Sequence, residues 1–201
     1  MFPVMINVSG KECVIIGGGE IAYRKVLPLV SEGAIVTVIS PGLCDDMKEL
    51  LSRGKIKVLH KEAVKEDYYH AFLLVAATNS KILNEEILSN AQENQLVSSV
   101  SDHELGNFHI PASIHRGRLT IGISTSGASP HLAKKIKKDL LDRFDESYIE
   151  YTDFLWKARK KINQSELGHK EKSELLLRIT DEEYRHSELN RKDFMELLVR
   201  K

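Results

Sequence analysis

The stretch Glu12-Cys13-Val14-Ile15-Ile16-Gly17-Gly18-Gly19-Glu20-Ile21-Ala22 decides the fold. Its opening is a short apolar run, three glycines interrupt it, and Ile21, Ala22, Val26, Leu29 and Val30 then recur at helical spacing. That order reads as strand, glycine turn, helix. Glycine at the first and third positions with a small residue at the sixth is the relaxed dinucleotide fingerprint. Gly17 permits the tight turn, Gly19 lets the backbone approach a pyrophosphate without a clashing Cβ, and Ala22 lets the helix lie near the strand. The first helical amides would then face the phosphates. A glycine turn alone occurs in many α/β proteins; here it follows a strand, precedes a helix and opens a βαβ unit.

Outward from that turn the alternation continues. Ile35 to Ile39 is a second β-branched strand, stopped by Ser40-Pro41-Gly42. A helix is predicted from Asp45 to Ser52, a weak strand over Ile56 to Leu59, and a strand buried on both faces from Ala71 to Ala77. A helix from Lys81 to Asn94 and a fifth strand from Leu96 to Val100 complete the pattern. Strands alternating with helices predict an α/β domain with a Rossmann-like, doubly wound parallel sheet over residues 1–111. Beyond it, Arg118 to Ile123 reads as a strand, and Ser129-Pro130 starts a helix running to about Phe144, with Leu132, Ile136, Leu140 and Phe144 on one face. This makes residues 112–145 a separate segment. Residues 146–201 hold one glycine and no proline, with charges interspersed among leucines and isoleucines, as in a small helical region.

The common fingerprint places an acid at the end of the second strand to bind the ribose hydroxyls, and this chain has Ser40-Pro41-Gly42 there instead. The fingerprint therefore leaves NAD and NADP open. NAD is favoured because the first basic residue after that strand is Lys48. Ser40 can hydrogen-bond the ribose. At the end of the fourth strand, Ala77, Thr78 and Asn79 are small or polar residues against which a cofactor can lie, or they form a helix cap.

Chemistry is expected where the fifth strand ends. Asp102 follows it, placed by the order of elements to accept a proton or hold a substrate nitrogen, although an Asp in a loop is also a turn former. From His115 to Lys138 the chain carries Arg116, Arg118, Lys134, Lys135, Lys137 and Lys138 and no acid, a local anion site or a solvated helix face. Within it Ser124, Ser126 and Gly127 can meet carboxylates through hydroxyls and amides. A substrate with several carboxylates suits Arg116, Ser124, Ser126, Gly127 and Lys134. His103, His109 and His115 invite a metal, yet their spacing is that of no helix-borne or knuckle site, so no protein-bound metal is expected.

Composition narrows the partners. The 29 Lys and Arg balance 29 Asp and Glu, giving no general reason to expect nucleic acid or a membrane surface. Cys13 and Cys44 lack redox or metal spacing and read as reduced thiols. The start lacks a basic leader, and no segment approaches the roughly 20 apolar residues needed to span a bilayer. A cytoplasmic protein is expected.

Taken together, Phe2-Pro3-Val4, the turn from Val14 to Ala22 with Arg24-Lys25 after it, Ala76-Ala77-Thr78-Asn79, Asp102, Phe108 to Ala112 and Ser124 to Pro130 resemble the precorrin-2 dehydrogenases, which include the N-terminal module of siroheme synthases. The resemblance covers most of residues 1–145. It implies a Rossmann-like NAD domain, a dimerisation segment over 112–145, a helical C-terminal region and a homodimer. It implies NAD⁺-dependent oxidation of precorrin-2 to sirohydrochlorin, a tetrapyrrole bearing several carboxylates, in sirohaem biosynthesis. The family's cofactor contacts fall on Gly17, Gly19, Glu20 and Ile21, with Gly18 between them, and on Pro41 and Gly42; its important aspartate falls on Asp102. His115 is the second candidate base. The chain lacks the methyltransferase domain of the siroheme synthases, so no methyl transfer is expected. Two alternatives stay open: a bifunctional enzyme that also inserts Fe²⁺, and a non-catalytic NAD-responsive module.

Overall fold

The structure is a computed structural model and describes residues 1–102 and 105–198; His103, one of the three histidines weighed above, lies outside the described residues. The chain divides into two compact units, residues 1–110 and 111–201. The segment 112–145 and the region 146–201 distinguished in the sequence both fall within the second.

In the first unit, β1 (Glu12–Ile16), β2 (Ile35–Ile39), β3 (Lys57–Leu59), β4 (Leu73–Ala76) and β5 (Leu96–Ser99) form one sheet in the order β3-β2-β1-β4-β5. Every pairing is parallel. The crossovers carry α1 (Glu20–Ser31), α2 (Asp45–Ser52) and α3 (Lys81–Ser89). Side chains alternate across the sheet, so β1 feeds two cores. Cys13 and Ile15 join Ala22, Val26, Val36, Val38 and Met47 on one face, while Val14 and Ile16 join Leu74, Ile87 and Tyr68 on the other. Burial on both faces explains why β4 reads as an unbroken apolar run, Leu73-Leu74-Val75-Ala76.

Register sets the site. Ile16 lies level with Ile39 on one side and Ala76 on the other, so the chain leaves the sheet at Gly17, Ser40 and Ala77 at one height. This is the carboxyl edge at the point where strand order reverses, where open α/β sheets place their ligands.

The second unit pairs β6 (Ala112–Arg116) with β7 (Leu119–Ile123) as an antiparallel hairpin, followed by α4 (Pro130–Arg143), α5 (Ser147–Gln164), α6 (His169–Arg178), α7 (Glu182–His186) and α8 (Glu188–Leu197). The hairpin tip is seated on α5. Gly117 has φ +58°, and a Cβ there would stand 2.8 Å from the Ile149 carbonyl oxygen and from Thr152 Oγ1. The Arg118 amide donates to Thr152 Oγ1 at 3.0 Å, and its guanidinium lies 4.0 Å over the Trp156 ring. The helices close on Phe154, Tyr184 and Phe194, whose ring centroids stand 5.5–6.0 Å apart.

Two expectations need correction. The helix predicted over Lys81 to Asn94 stops at Ser89, because the Asn90 side chain turns back to the Glu86 carbonyl and residues 91–95 form a turn closed by the Gln95 side chain accepting from the Gln92 amide. The second is β6, legible in the sequence only through its partner β7: it follows Pro111 and carries a single buried apolar residue, Ile114.

Candidate functional site

Three glycines in a row do three different things at the β1–α1 turn. Gly17 has φ +124°, and a Cβ there would lie 2.2 Å from the Ala77 carbonyl oxygen. A Cβ on Gly18 would lie 2.0 Å from the Gly42 carbonyl oxygen. Both glycines are fixed by the neighbouring loops, an arrangement held by the Gly17 amide donating to Ile39 O at 2.9 Å and the Cys44 amide donating to Gly18 O at 2.8 Å. Gly19 is different. Nothing lies within 4 Å of its Cβ position. It is the N-cap of α1 with no side-chain cap, so the first-turn amides of a twelve-residue helix face open space. Bare amides at a helix start, beside a residue that leaves room, form an anion cradle suited to a pyrophosphate.

A cleft of about 550 Å³ opens over this turn. It is lined by Gly17, Gly18, Gly19, Ser40, Pro41, Gly42, Ala77, Thr78 and Asn79, all anticipated from the sequence and drawn from the loops after β1, β2 and β4. Glu20 and Ile21 are exposed at the start of α1 and are not among the lining residues. Leu43, Cys44, Lys61, Glu62, Ala63 and Leu83 are lining residues that the sequence did not point to. The β3 trio was invisible because nothing in the sequence says that β3 pairs beside β2 with its end at the same edge. Ser40 holds its own loop: its hydroxyl donates to the Gly42 carbonyl at 2.7 Å, which leaves it an acceptor for a ribose hydroxyl.

Asn84 is a further site residue that the sequence does not single out. It is fully buried in α3, and a polar residue spaced three from Ile87 on an apolar face was the available signal. Its Oδ1 accepts from the Thr78 amide at 3.1 Å and the Thr78 hydroxyl at 2.7 Å, while its Nδ2 donates to the Thr78 carbonyl and to Ser101 Oγ. One side chain thereby ties the loop after β4 to the loop after β5, which carries Asp102. The Asp102 carboxylate, about one third exposed, lies 4.0 Å from Lys81 Nζ. Lys81 opens α3, so Asp102 sits beside the same helix that the Asn84 network anchors.

In the second unit, His115 is exposed on β6 with Nε2 3.2 Å from Ser113 Oγ and Nδ1 3.3 Å from Thr120 Oγ1. One ring nitrogen is engaged along β6 and the other across the hairpin, to β7. Arg116 donates from Nε to the Phe144 carbonyl at 3.1 Å and faces Glu146 at 3.3 Å, locking β6 to the end of α4. In the Ser124–Pro130 loop, Ser124 Oγ accepts from the Ser126 amide, and Thr125, not singled out in the sequence, exchanges hydrogen bonds with the Ser129 backbone. Ser126 and Gly127 both have positive φ, at 49° and 86°. Ser129 caps α4 by accepting from the Leu132 amide, and Lys134 is exposed on that helix.

Strand order, glycine turn and open helix start define a dinucleotide-binding α/β domain of the Rossmann class. A family model described as NAD(P)-binding matches residues 4–112, one described as the central domain of a sirohaem biosynthesis protein matches 116–143, and the SirC C-terminal domain matches 148–194. The precorrin-2 dehydrogenase of Priestia megaterium is 38% identical over 196 residues, 98% of this chain and 97% of that protein. That of Bacillus subtilis (strain 168) is 38% identical over 161 residues, 80% of this chain and 99% of that protein. The solved structure of SirC, a precorrin-2 dehydrogenase, superimposes with a TM-score of 0.86 at 37% identity over 100% of both chains. The chain belongs to the precorrin-2 dehydrogenase family. It is a dehydrogenase whose first unit binds NAD.

Proposed function

We propose that this protein oxidises precorrin-2 to sirohydrochlorin, with Asp102 as the group that takes the proton. The observation that carries this reading is the cradle at Gly19, open for a pyrophosphate and on the same sheet edge as the loop that bears Asp102, with β4 between the two strands they follow. NAD⁺, when bound, supplies the hydride acceptor. Gly17 and Gly18 hold the β1–α1 turn in shape, the α1 amides take the phosphates, and Ala77, Thr78 and Asn79 form the wall on the β4 side. A carboxylate in the loop after β5 is suited to receive the proton released as hydride leaves a reduced macrocycle carbon. Asp102 is favoured over His115, whose two ring nitrogens are both engaged within the hairpin.

Arg116, Ser124, Ser126, Gly127 and Lys134 are proposed to meet the substrate's carboxylates. Lys134 is the freest of them, since Arg116 is turned to Phe144 and Glu146. A homodimer is proposed because the β6–β7 hairpin has only two strands and α4 buries no residue fully, leaving Leu132 48% exposed. A cytoplasmic setting accords with the two free cysteines, and among the described residues no helix is long and apolar enough to cross a membrane.

The test is an anaerobic assay with precorrin-2 and NAD⁺ that follows NADH and the macrocycle's absorbance together. One NADH per sirohydrochlorin is expected. Protein that binds nucleotide but forms no NADH would instead act as an NAD-responsive module. Adding Fe²⁺ or Co²⁺ to the completed reaction tests metal insertion against a protein-free control.

A further inference from the structure

The acid missing from the end of β2 has a counterpart one strand further out. We propose that Glu62, in the loop after β3, accepts the adenosine ribose hydroxyls and sets a preference for NAD⁺ over NADP⁺. This rests on the reading of the cleft as the dinucleotide site.

β3 pairs with β2 so that Leu59 lies level with Ile39, and the Ser40 amide donates to the Leu59 carbonyl at 3.1 Å. The loops beginning at Ser40 and His60 therefore leave the sheet edge side by side. Lys61, Glu62 and Ala63 line the same cleft as the three glycines and Ser40 to Gly42. On the β2 side little is available for a diol. Pro41 and Gly42 have no polar side-chain atom, and Ser40, its proton directed at Gly42 O, offers only a neutral hydroxyl oxygen to accept from the two ribose hydroxyls.

Two charged side chains remain on the β3 side, and the structure treats them differently. Lys61 Nζ stands 2.6 Å from Asp67 Oδ1, and Asp67 Oδ2 accepts from the Val64 amide at 2.9 Å. That pairing braces the loop and neutralises the cation that would otherwise attract a 2′-phosphate. Glu62 is exposed and has no ion pair or hydrogen bond among the described residues. A free carboxylate at this edge can accept from both hydroxyls of a ribose, the task the usual β2 acid performs. The same carboxylate would repel the roughly two negative charges of a 2′-phosphate.

The experiment is calorimetric titration of the full-length protein with NAD⁺, NADP⁺ and 2′-deoxy-NAD⁺, for wild type and Glu62→Ala. Wild type should bind NAD⁺ best and lose affinity when the 2′-hydroxyl is removed. Glu62→Ala should weaken NAD⁺ roughly tenfold or more, as for loss of hydrogen bonds to a charged group, with the NADP⁺ affinity held or raised. The variant should no longer distinguish NAD⁺ from its 2′-deoxy analogue. Unfolding curves that match wild type show that the fold is intact. Unchanged NAD⁺ affinity in Glu62→Ala, with wild type still binding, would overturn the role of Glu62 alone. Wild type that binds no nucleotide would overturn the dinucleotide reading on which it rests.

Discussion

The α-carbon of Gly18 and the carbonyl of Gly42 are so close that a Cβ on Gly18 would sit 2.0 Å from that oxygen, whereas a Cβ on the adjacent Gly19 would meet nothing within 4 Å. The two neighbours should therefore fail in opposite ways. Gly18→Ala forces the β1–α1 turn and the loop after β2 apart, at a cost on the order of 2–4 kcal/mol. Gly19 has φ −86° and ψ −179°, a conformation any residue adopts, and stands at an N-cap where aspartate is favoured. Gly19→Asp should fold with stability unchanged or slightly raised, yet lose NAD⁺ binding because its carboxylate occupies and repels at the phosphate cradle. Urea unfolding and NAD⁺ titration of both variants check the pair; a Gly19→Asp protein that binds NAD⁺ normally would contradict the cradle.

Asn84 should matter more than its place in a short helix suggests. Replacing it with Ala strands the Thr78 amide and breaks the link to Ser101. Unsatisfied groups at a fully buried position cost about 1–3 kcal/mol each. A destabilisation of roughly 2–4 kcal/mol is expected in urea, together with reduced turnover from the loosened Asp102 loop. Turnover at wild-type level in a protein so destabilised would show that the network supports the fold without positioning the aspartate.

What could be read beforehand followed a local rule in each case. The strand–glycine–helix order of residues 12–22 was legible because periodicity and turn chemistry are local, and so was the α4 start at Ser129-Pro130. Nine residues of the cleft were legible because the sheet order delivers their loops to one edge. Glu62 and Asn84 were not. Glu62 comes into the cleft only through the pairing of β3 with β2, and Asn84 matters only because two loops distant in sequence meet at its amide. Arg116 was legible as a cation and not as a latch, since its partners Phe144 and Glu146 lie some thirty residues away.

The two cysteines should report on the cleft. Cys13 is fully buried in β1, and burial pushes its thiol up to about 11, so it stays protonated and unreactive at pH 8. Cys44 is half-buried and lines the cleft beside Gly18. Iodoacetamide should therefore add one label to the native protein, at Cys44, and saturating NAD⁺ should slow that labelling several-fold. Mass spectrometry of digested protein reads both sites; labelling of Cys44 at the same rate with and without NAD⁺ would place the nucleotide elsewhere.

Asp102 lies outside the residues lining the nucleotide cleft, and its carboxylate stands at the edge of an ion pair with Lys81, 4.0 Å away. A substitution that keeps its shape should therefore separate binding from chemistry. Asp102→Asn preserves the side-chain volume and removes both the charge and the basicity. NAD⁺ affinity should stay within about twofold of wild type, while kcat falls by 10²–10⁴, the range ascribed to loss of a positioned general base. Lys81→Met provides the control: it removes the cation beside Asp102 and leaves the carboxylate, so kcat should fall far less. If Asp102→Asn turns over precorrin-2 at a near-normal rate, the proton goes to another group, and His115→Gln becomes the next variant to assay.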